Sequence, residues 1–507
     1  MTTDRIQDPG AVPGATPAGP AGQPRLRRNL GSWQVLAVSL GVMGLSLSAN
    51  LNPQGAEPSV GRAVPLAFLI SAIAVLLLSY SFVRLSQHFN TAGSVFGFVG
   101  ATLGARAGAV AGWCLLGGYL IFGAGSCYAA AVFFNSLLEN LGVHNPAQWL
   151  PYVVTLVLLA IATAITVIPA RRGTDLLLLF EAITVLLILI ISIVVLIKIS
   201  TGGGPQGQHF TLSVFTPAKG VSPSALFLGA VFGILAFVGF EGAATMGEEA
   251  REPRRTIPKA IFGTVLIGGT FYVLAAAVEV MGYGADKAGL ARFEASGSLF
   301  GGLGSAYISS WVGDVVTIGT MVSALAGAIG CVVGSSRMIY AMSRSAPGRG
   351  QALQKVSLRF GTPVGAIIAA FVIMALSAVA FGWVISTSIF NAWDWTGEVG
   401  TLIVLVAYIL ATIGAARMLT MSTTVPKWQI AIPVVTVVVL GYTIFRNVIP
   451  YPTGAGFWLP IAAGIWVAVA VAAVAFLPGL VRRVGEDLAA DQGLTVASPR
   501  AADPGAG

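Results

Sequence analysis

Short polar segments divide this chain into apolar runs, each long enough to cross a lipid bilayer. A hydrocarbon core about 30 Å thick takes about 20 helical residues. Only helices and closed barrels satisfy every backbone group at that depth. About twelve runs meet the length criterion: roughly residues 33–52, 64–85, 107–138, 149–167 and 174–197, one from Pro223, 257–282, one from Trp311 into SSRMIYAMSRS, then 364–383, 397–416, 428–448 and 458–480. The expected fold class is therefore an all-α polytopic membrane protein. Residues 1–30 and 482–507 are expected to be disordered tails, flanking a transmembrane domain over 31–481.

Composition agrees. Hydrophobic residues make up 56% and charged residues 9% of the 507, against roughly 25% charged in a soluble domain. The net charge of +8 invites a nucleic-acid partner, but the basic residues fall in short loops between runs, where they set orientation; no nucleic-acid partner is expected. Cys114, Cys127 and Cys331 lie inside apolar runs without metal-ligand or disulfide spacing. No metal or cofactor is expected. His88, His144 and His209 sit in loops or at run ends, away from the depth where a membrane-embedded enzyme would need them. An enzyme is thus the remote alternative.

Two runs are interrupted. The first has the core GVMGLSLSAN, where Gly41, Gly44, Ser46, Ser48 and Asn50 break the apolar face. The sixth reads FGILAFVGFEGAATMGEEAREPRRTIPKAI, with Gly233, Gly239, Gly242 and the carboxylate Glu241 in its apolar half. Glycine weakens a helix by about 1 kcal/mol relative to alanine. Unwound backbone at membrane depth persists only where protein or a wet cavity satisfies it. Broken helices five runs apart are the pattern of an inverted repeat whose substrate lies between the breaks. The repeats would cover about 33–200 and 223–418, with extra helices over 428–480.

The sixth run resembles the signature of the amino acid–polyamine–organocation (APC) permeases, matched at Gly239, Phe240, Glu241, Glu248, Glu249, Pro253, Arg255, Ile257, Pro258 and Ala260. A second match is Ser336, Arg337, Tyr340, Ala341, Met342, Ser343 and Arg344, followed by Thr362 and Pro363. Asn90, Ala92 and Gly93 resemble the family's turn after its second helix. The resemblance spans about residues 36–419. It implies about 12 helices in a LeuT-type 5+5 inverted repeat, discontinuous in helices 1 and 6. It also implies a secondary active transporter that imports an amino acid or related amine across the cytoplasmic membrane by alternating access.

That reading assigns residues. Free N–H groups around Gly44, Leu45 and Ser46, where the family usually shows Gly-Ser-Gly, would take a substrate carboxylate. Carbonyls around Phe237, Val238 and Gly239 would take its ammonium. Phe237 would cover the substrate as a gate, with plain helix packing as its alternative. Leu235 stands where arginine-exchanging relatives have a tryptophan, which argues against a bulky cationic substrate.

Glu181, in LLLLFEAIT, sits roughly 12 Å past Gly173 at helical rise, inside the hydrocarbon. It is the candidate proton-coupling acid; its plain alternative is a carboxylate satisfied by a neighbouring hydroxyl. Some family members carry there a lysine that stands in for a sodium ion. Glu241 is expected to order the unwound segment, with proton carriage as its alternative. Sodium coupling would instead need hydroxyls facing the first span, and Thr320 and Ser323 are available. An exchanger of the same fold is a further alternative. Asp314, Asn391, Trp393, Asp394 and Trp395 are read as interfacial anchors, with an outer vestibule as their alternative. With the N-terminus inside, only Arg62, Lys198, Lys219, Lys287, Arg292 and Arg446 fall outside, so both termini are expected in the cytoplasm of a cell, and a bacterial one, with the protein spanning its membrane many times.

Overall fold

The computed structural model describes residues 31–491 except 90–94, 144–145, 169–170, 219, 247–249, 344–350, 358–359, 386–387 and 423–424. The turn residues Asn90, Ala92 and Gly93, the signature acids Glu248 and Glu249, and the N-terminal tail lie outside the described residues, as do Arg344 and His144. Among the described residues, eleven helical stretches are long and apolar enough to span a membrane. One of them, 44 residues over Leu45–His88, joins two expected spans, and the short apolar helix Ser32–Val42 stands apart. The structure is an all-helical polytopic bundle.

The first expected span is two helices, α1 (Ser32–Val42) and α2 (Leu45–Val60). They part at Gly44, which has φ +59°, a left-handed conformation that costs a residue with a Cβ about 1–2 kcal/mol. A 3-10 turn over Gly61–Ala63 leads into α3 (Val64–His88). Then follow α4 (Val95–Leu103), α5 (Ala105–Asn140), α6 (Leu150–Val167) and α7 (Arg171–Ser200). The sixth span also divides. Helix α8 (Leu226–Phe237) stops at Val238, and a 3-10 segment, Phe240–Met246, continues it. Gly239 between them has φ +103°. Gly233, read above as one of the weakening glycines, instead lies within α8 and makes room for Ser71, whose hydroxyl donates to the Ala230 carbonyl at 3.0 Å.

The second half comprises α9 (Pro253–Tyr283), the short loop helices α10 (Lys287–Glu294) and α11 (Leu299–Tyr307), α12 (Ser310–Ser343), α13 (Gln351–Gln354), α14 (Val364–Val379) and α15 (Ile389–Met421). Helices α16 (Ala431–Val448), α17 (Trp458–Phe476) and α18 (Pro478–Asp491) complete it. The spans of α5 and α15 are 78% and 72% buried, whereas those of α6, α16 and α17 are each 22% buried. Hence α5 and α15 form the centre. The peripheral helices turn apolar rows outward, such as Val153, Val157, Ile161 and Ile165 on α6, at the four-residue spacing of one helical face. An outward row of this kind suits lipid rather than water.

Specific long-range ties join the helices. Trp113 and Trp466 stack at 4.7 Å, and each indole N–H donates to the other's backbone carbonyl, at 3.0 and 2.9 Å. Gly117 leaves the space that Trp466 fills. The Thr362 hydroxyl of the second family-like motif donates to the Val167 carbonyl at 3.1 Å. That residue therefore serves to tie the start of α14 to the end of α6.

The tail expected to be disordered from residue 482 is instead helical through Asp491; residues 492–507 lie outside the described residues. Val481, Gly485 and Leu488 share one face at helical spacing and are buried, while Arg482 and Glu486 pair at 3.5 Å on the opposite face. The polar composition hid this period. Gly485 lies directly on the Ala105 carbonyl, so that any side chain there would collide with backbone. Gly485→Val is therefore expected to lift α18 from the bundle. Trypsin cleavage at Arg482 and Arg483 in detergent should then speed up at least about tenfold, because proteolysis follows the open population. An unchanged cleavage rate would show that α18 does not depend on this contact.

Candidate functional site

The two breaks face each other. Gly239 lies against Val42, the last residue of α1, and the Ser39 hydroxyl of α1 donates to the Phe240 carbonyl at 3.0 Å. Beside them is a cavity of about 740 Å³. Gly44, Ser48, Glu181, Val238, Gly239 and Glu241 all contribute to its wall. Such a volume lies in the range of small-molecule sites. The cavity also reaches Arg337 and Ala341 of α12 and Leu488 of α18.

Glu181 stands on α7 and is 8% exposed. Its Oε1 accepts the Ser46 backbone N–H at 2.8 Å, and its Oε2 accepts the Ser46 hydroxyl at 2.8 Å. The free N–H groups expected at the start of α2 are thus partly taken. One carboxylate from another helix caps that N-terminus, where the helix dipole favours negative charge. The neighbouring hydroxyl foreseen as the plain alternative is Ser46 itself. Leu45 is buried and its side chain lies near Gly268 of α9, away from the cavity.

Glu241 is 4% exposed and braces the second break. Its Oε2 accepts the Gly239 N–H at 3.1 Å and the Tyr408 hydroxyl at 2.9 Å, while its Oε1 has no partner among the described residues. The ordering role expected of it has a geometric counterpart here. Tyr408 also closes an aromatic cluster with Phe82 and Phe240, the three rings 5.2–5.9 Å apart in edge-to-face contacts.

Phe237 does not cover the cavity. It is 1% exposed, packs edge-on against Tyr272 at 5.4 Å, and takes no part in the cavity wall. The reason is its register: it is the last residue of α8, and that position faces α9. Leu235, two residues earlier, faces the cavity instead. Of the proposed sodium-facing hydroxyls, the structure separates the two. Thr320 is engaged by Asn50, whose Nδ2 donates to it and to Ser298 at 3.0 Å each, while its own hydroxyl donates to Val316. Ser323 lines the cavity next to Gly44, and its hydroxyl has no partner among the described residues.

One expected anchor, Trp393, is buried in the bundle, while Asp314 and Trp395 are half-buried. Trp393 is 4% exposed, packs against Phe232 and Phe390, and lines the cavity. Trp395 packs against the core, and Asp314 accepts from Asn140 at 2.7 Å. Sequence reasoning passed over Tyr408, the single tyrosine of its apolar run, and Tyr119 and Arg337 as wall residues. A hydroxyl recurring alone at membrane depth was the available signal.

Comparison with known proteins gives the family. The amino acid permease family model matches residues 34–480. The chain is similar to the branched-chain amino acid permease BcaP of Bacillus subtilis, 24% identical over 68% of this chain and 73% of that protein. It is also similar to the low-affinity putrescine importer PlaP of Escherichia coli, 26% identical over 65% and 69%. A third relative, cationic amino acid transporter 4 of Mus musculus, is 26% identical over 70% of this chain and 55% of its own length.

Proposed function

The chain belongs to the amino acid permease family, and from that premise we propose that it imports an amino acid or related amine by proton symport across a cell membrane. It is a transporter and not an enzyme. The observation that carries the finer reading is the pair of breaks at Gly44 and Gly239, flanked by two buried carboxylates around one cavity. An inverted 5+5 repeat with spans 11 and 12 appended suits breaks in the first and sixth spans. Both termini are read as cytoplasmic from the loop charges. The cavity, reaching α18 near the C-terminus, is then open toward the inside.

The chemistry follows from the two ends of an amino acid. The N-terminus of α2 favours its carboxylate, and the unwound carbonyls after Phe237 favour its ammonium. Hydrogen bonds to charged groups contribute about 1.5–3 kcal/mol each, so that a few give micromolar-to-millimolar affinity. Relatives named for branched-chain amino acids, for putrescine and for cationic amino acids keep the class broad. Leu235 in the wall favours a neutral side chain over a bulky cationic one.

Uptake of radiolabelled amino acids and amines into proteoliposomes tests this, first under a pH gradient and then under a sodium gradient. Proton-driven accumulation that Glu181→Gln abolishes is the expected result. Accumulation that needs sodium would move coupling to Ser323, the unpartnered hydroxyl beside Gly44. Transport of none of the panel, with a control permease active, would sink the substrate class.

A further inference from the structure

Glu181 occupies the very donors that a substrate carboxylate needs. Its two oxygens hold the backbone N–H and the hydroxyl of one residue, Ser46, at 2.8 Å each. The interaction joins positions 135 apart in the chain, across two helices that otherwise meet in few places. Meanwhile Glu181 remains part of the cavity wall and Ser46 does not. A ligand entering the cavity therefore meets Glu181 first, and reaches the start of α2 only where Glu181 gives way.

We propose that Glu181 is a built-in carboxylate that holds the substrate-carboxylate site closed, and that an amino acid and a proton replace it together. This rests on the transport reading above and adds the order of events. While ionised, Glu181 competes with the substrate for Ser46. Once displaced it loses both charge-assisted hydrogen bonds, and among the described residues no cation pairs with it. An unpaired carboxylate inside the bundle is strongly disfavoured, so Glu181 binds a proton from the aqueous phase then open to the cavity. The substrate carboxylate brings one negative charge, and the proton removes one from Glu181, so that the charge beside α2 is unchanged. On release of the substrate to the other side, Glu181 gives its proton to that side and recaps Ser46.

Among the described residues no cation is paired with Glu181. Helix α1 carries no titratable residue. From α9, Tyr272 faces it, with Glu279 about two turns further along that helix. On α12, Arg337 and Cys331 line the same cavity, and Glu241 stands across it, bonded to Gly239 and Tyr408. Glu57 on α2 lies about three turns beyond Ser46. Tyr307 on α11 meets the far end of α7, where its carbonyl accepts from Lys198 at 2.5 Å.

The sign of the pH effect follows by linkage. Substrate binds the form in which Glu181 is protonated, so its apparent Kd falls as pH falls, by up to about tenfold per pH unit for one linked proton. A carboxylate-free amine does not need Ser46, and its Kd shows no such dependence.

Two measurements on the purified full chain test this. In the first, the twenty L-amino acids are screened by thermal shift, and the best binder is titrated against its decarboxylated amine between pH 5 and 8. For the amino acid, Glu181→Ala is expected to lower Kd about tenfold and to flatten its pH dependence; for the amine it changes neither. An amino acid Kd that is unchanged or higher in Glu181→Ala, with the wild-type melting temperature retained, would make Glu181 a structural cap and overturn the proposal. The second measurement needs no substrate. Hydrogen exchange of the peptide containing Ser46 is followed against pH in the wild type and in Glu181→Gln. Protection in the wild type is expected to fall on acidification relative to Glu181→Gln; identical profiles would overturn the proposal. If no amino acid binds the wild type, the substrate reading fails, and the exchange profiles still decide whether Glu181 leaves Ser46 on protonation.

Discussion

Gly239→Val is expected to reduce uptake at least about a hundredfold while leaving most of the bundle folded. Gly239 has φ +103°, outside the regions open to a β-branched residue. Left-handed backbone costs a residue with a Cβ about 1–2 kcal/mol. A Cβ at this position would also lie 3.0 Å from the Val42 Cγ1 and 3.4 Å from the Val42 carbonyl carbon. Val42 ends α1, so the added side chain forces apart the two breaks that frame the cavity. Overpacking of this kind adds about 1–3 kcal/mol. Together these disfavour the intact site by roughly 3 kcal/mol, or about two factors of ten in its population. Gly239→Ala bears the backbone strain with less crowding and is expected to lose about tenfold. Initial rates in proteoliposomes, normalised to reconstituted protein, measure both. Wild-type rates in the valine variant would mean that the break tolerates ordinary backbone, and would remove its special role.

Glu241→Ala is expected to destabilise the protein by about 2–4 kcal/mol and to stop uptake. One carboxylate oxygen accepts both the Gly239 N–H and the Tyr408 hydroxyl. Removing it leaves two buried donors unpaired. Hydrogen bonds to a charged acceptor contribute about 1.5–3 kcal/mol each, and relief of carboxylate burial offsets part of the loss. Glu241→Gln retains an acceptor oxygen and is expected to keep most of the stability. Thermal unfolding in detergent separates the variants, and transport assays assign the role. Proton-driven accumulation by Glu241→Gln would make Glu241 a brace. Counterflow without accumulation would make it the proton carrier, and would displace Glu181 from that part.

The outer polar ties support the same division of labour. Asn50 of α2 reaches Ser298, Thr320 and the Phe300 N–H, the last at 2.6 Å. This anchors α2 to α11 and α12, so that the start of α2, rather than its far end, is the part free to respond to ligand. Thr320 is thereby committed to structure, and Ser323 is the hydroxyl left facing the cavity.

Much of this was legible along the chain because its signals are local. Hydropathy over about 20 residues marks a span wherever the span later packs. Glycine clusters around Gly44 and Gly239 mark weak helix regardless of neighbours. The depth of Glu181 follows from helical rise alone. Orientation was not legible in the same way. Phe237 and Leu235 are both apolar and two residues apart, and only the neighbours of α8 decide that one meets Tyr272 and the other the cavity. Trp393 reads as an interfacial anchor until Phe232 and Phe390 are found around it. The helix α18 was missed because its buried face is three small or apolar residues in a polar sequence.

The sequence by itself determined that the chain is a helical membrane protein with two helices broken near Gly44 and Gly239, because length, hydropathy and backbone freedom belong to each segment alone, and transport was what its resemblance to the APC permeases implied. Only the tertiary structure decided what the two carboxylates hold. Glu181 meets Ser46 across 135 positions, and Tyr408 meets Glu241 across 167. Such pairings depend on which helix faces turn inward when the whole bundle packs, and a buried acid takes its role from the donors that packing brings to it.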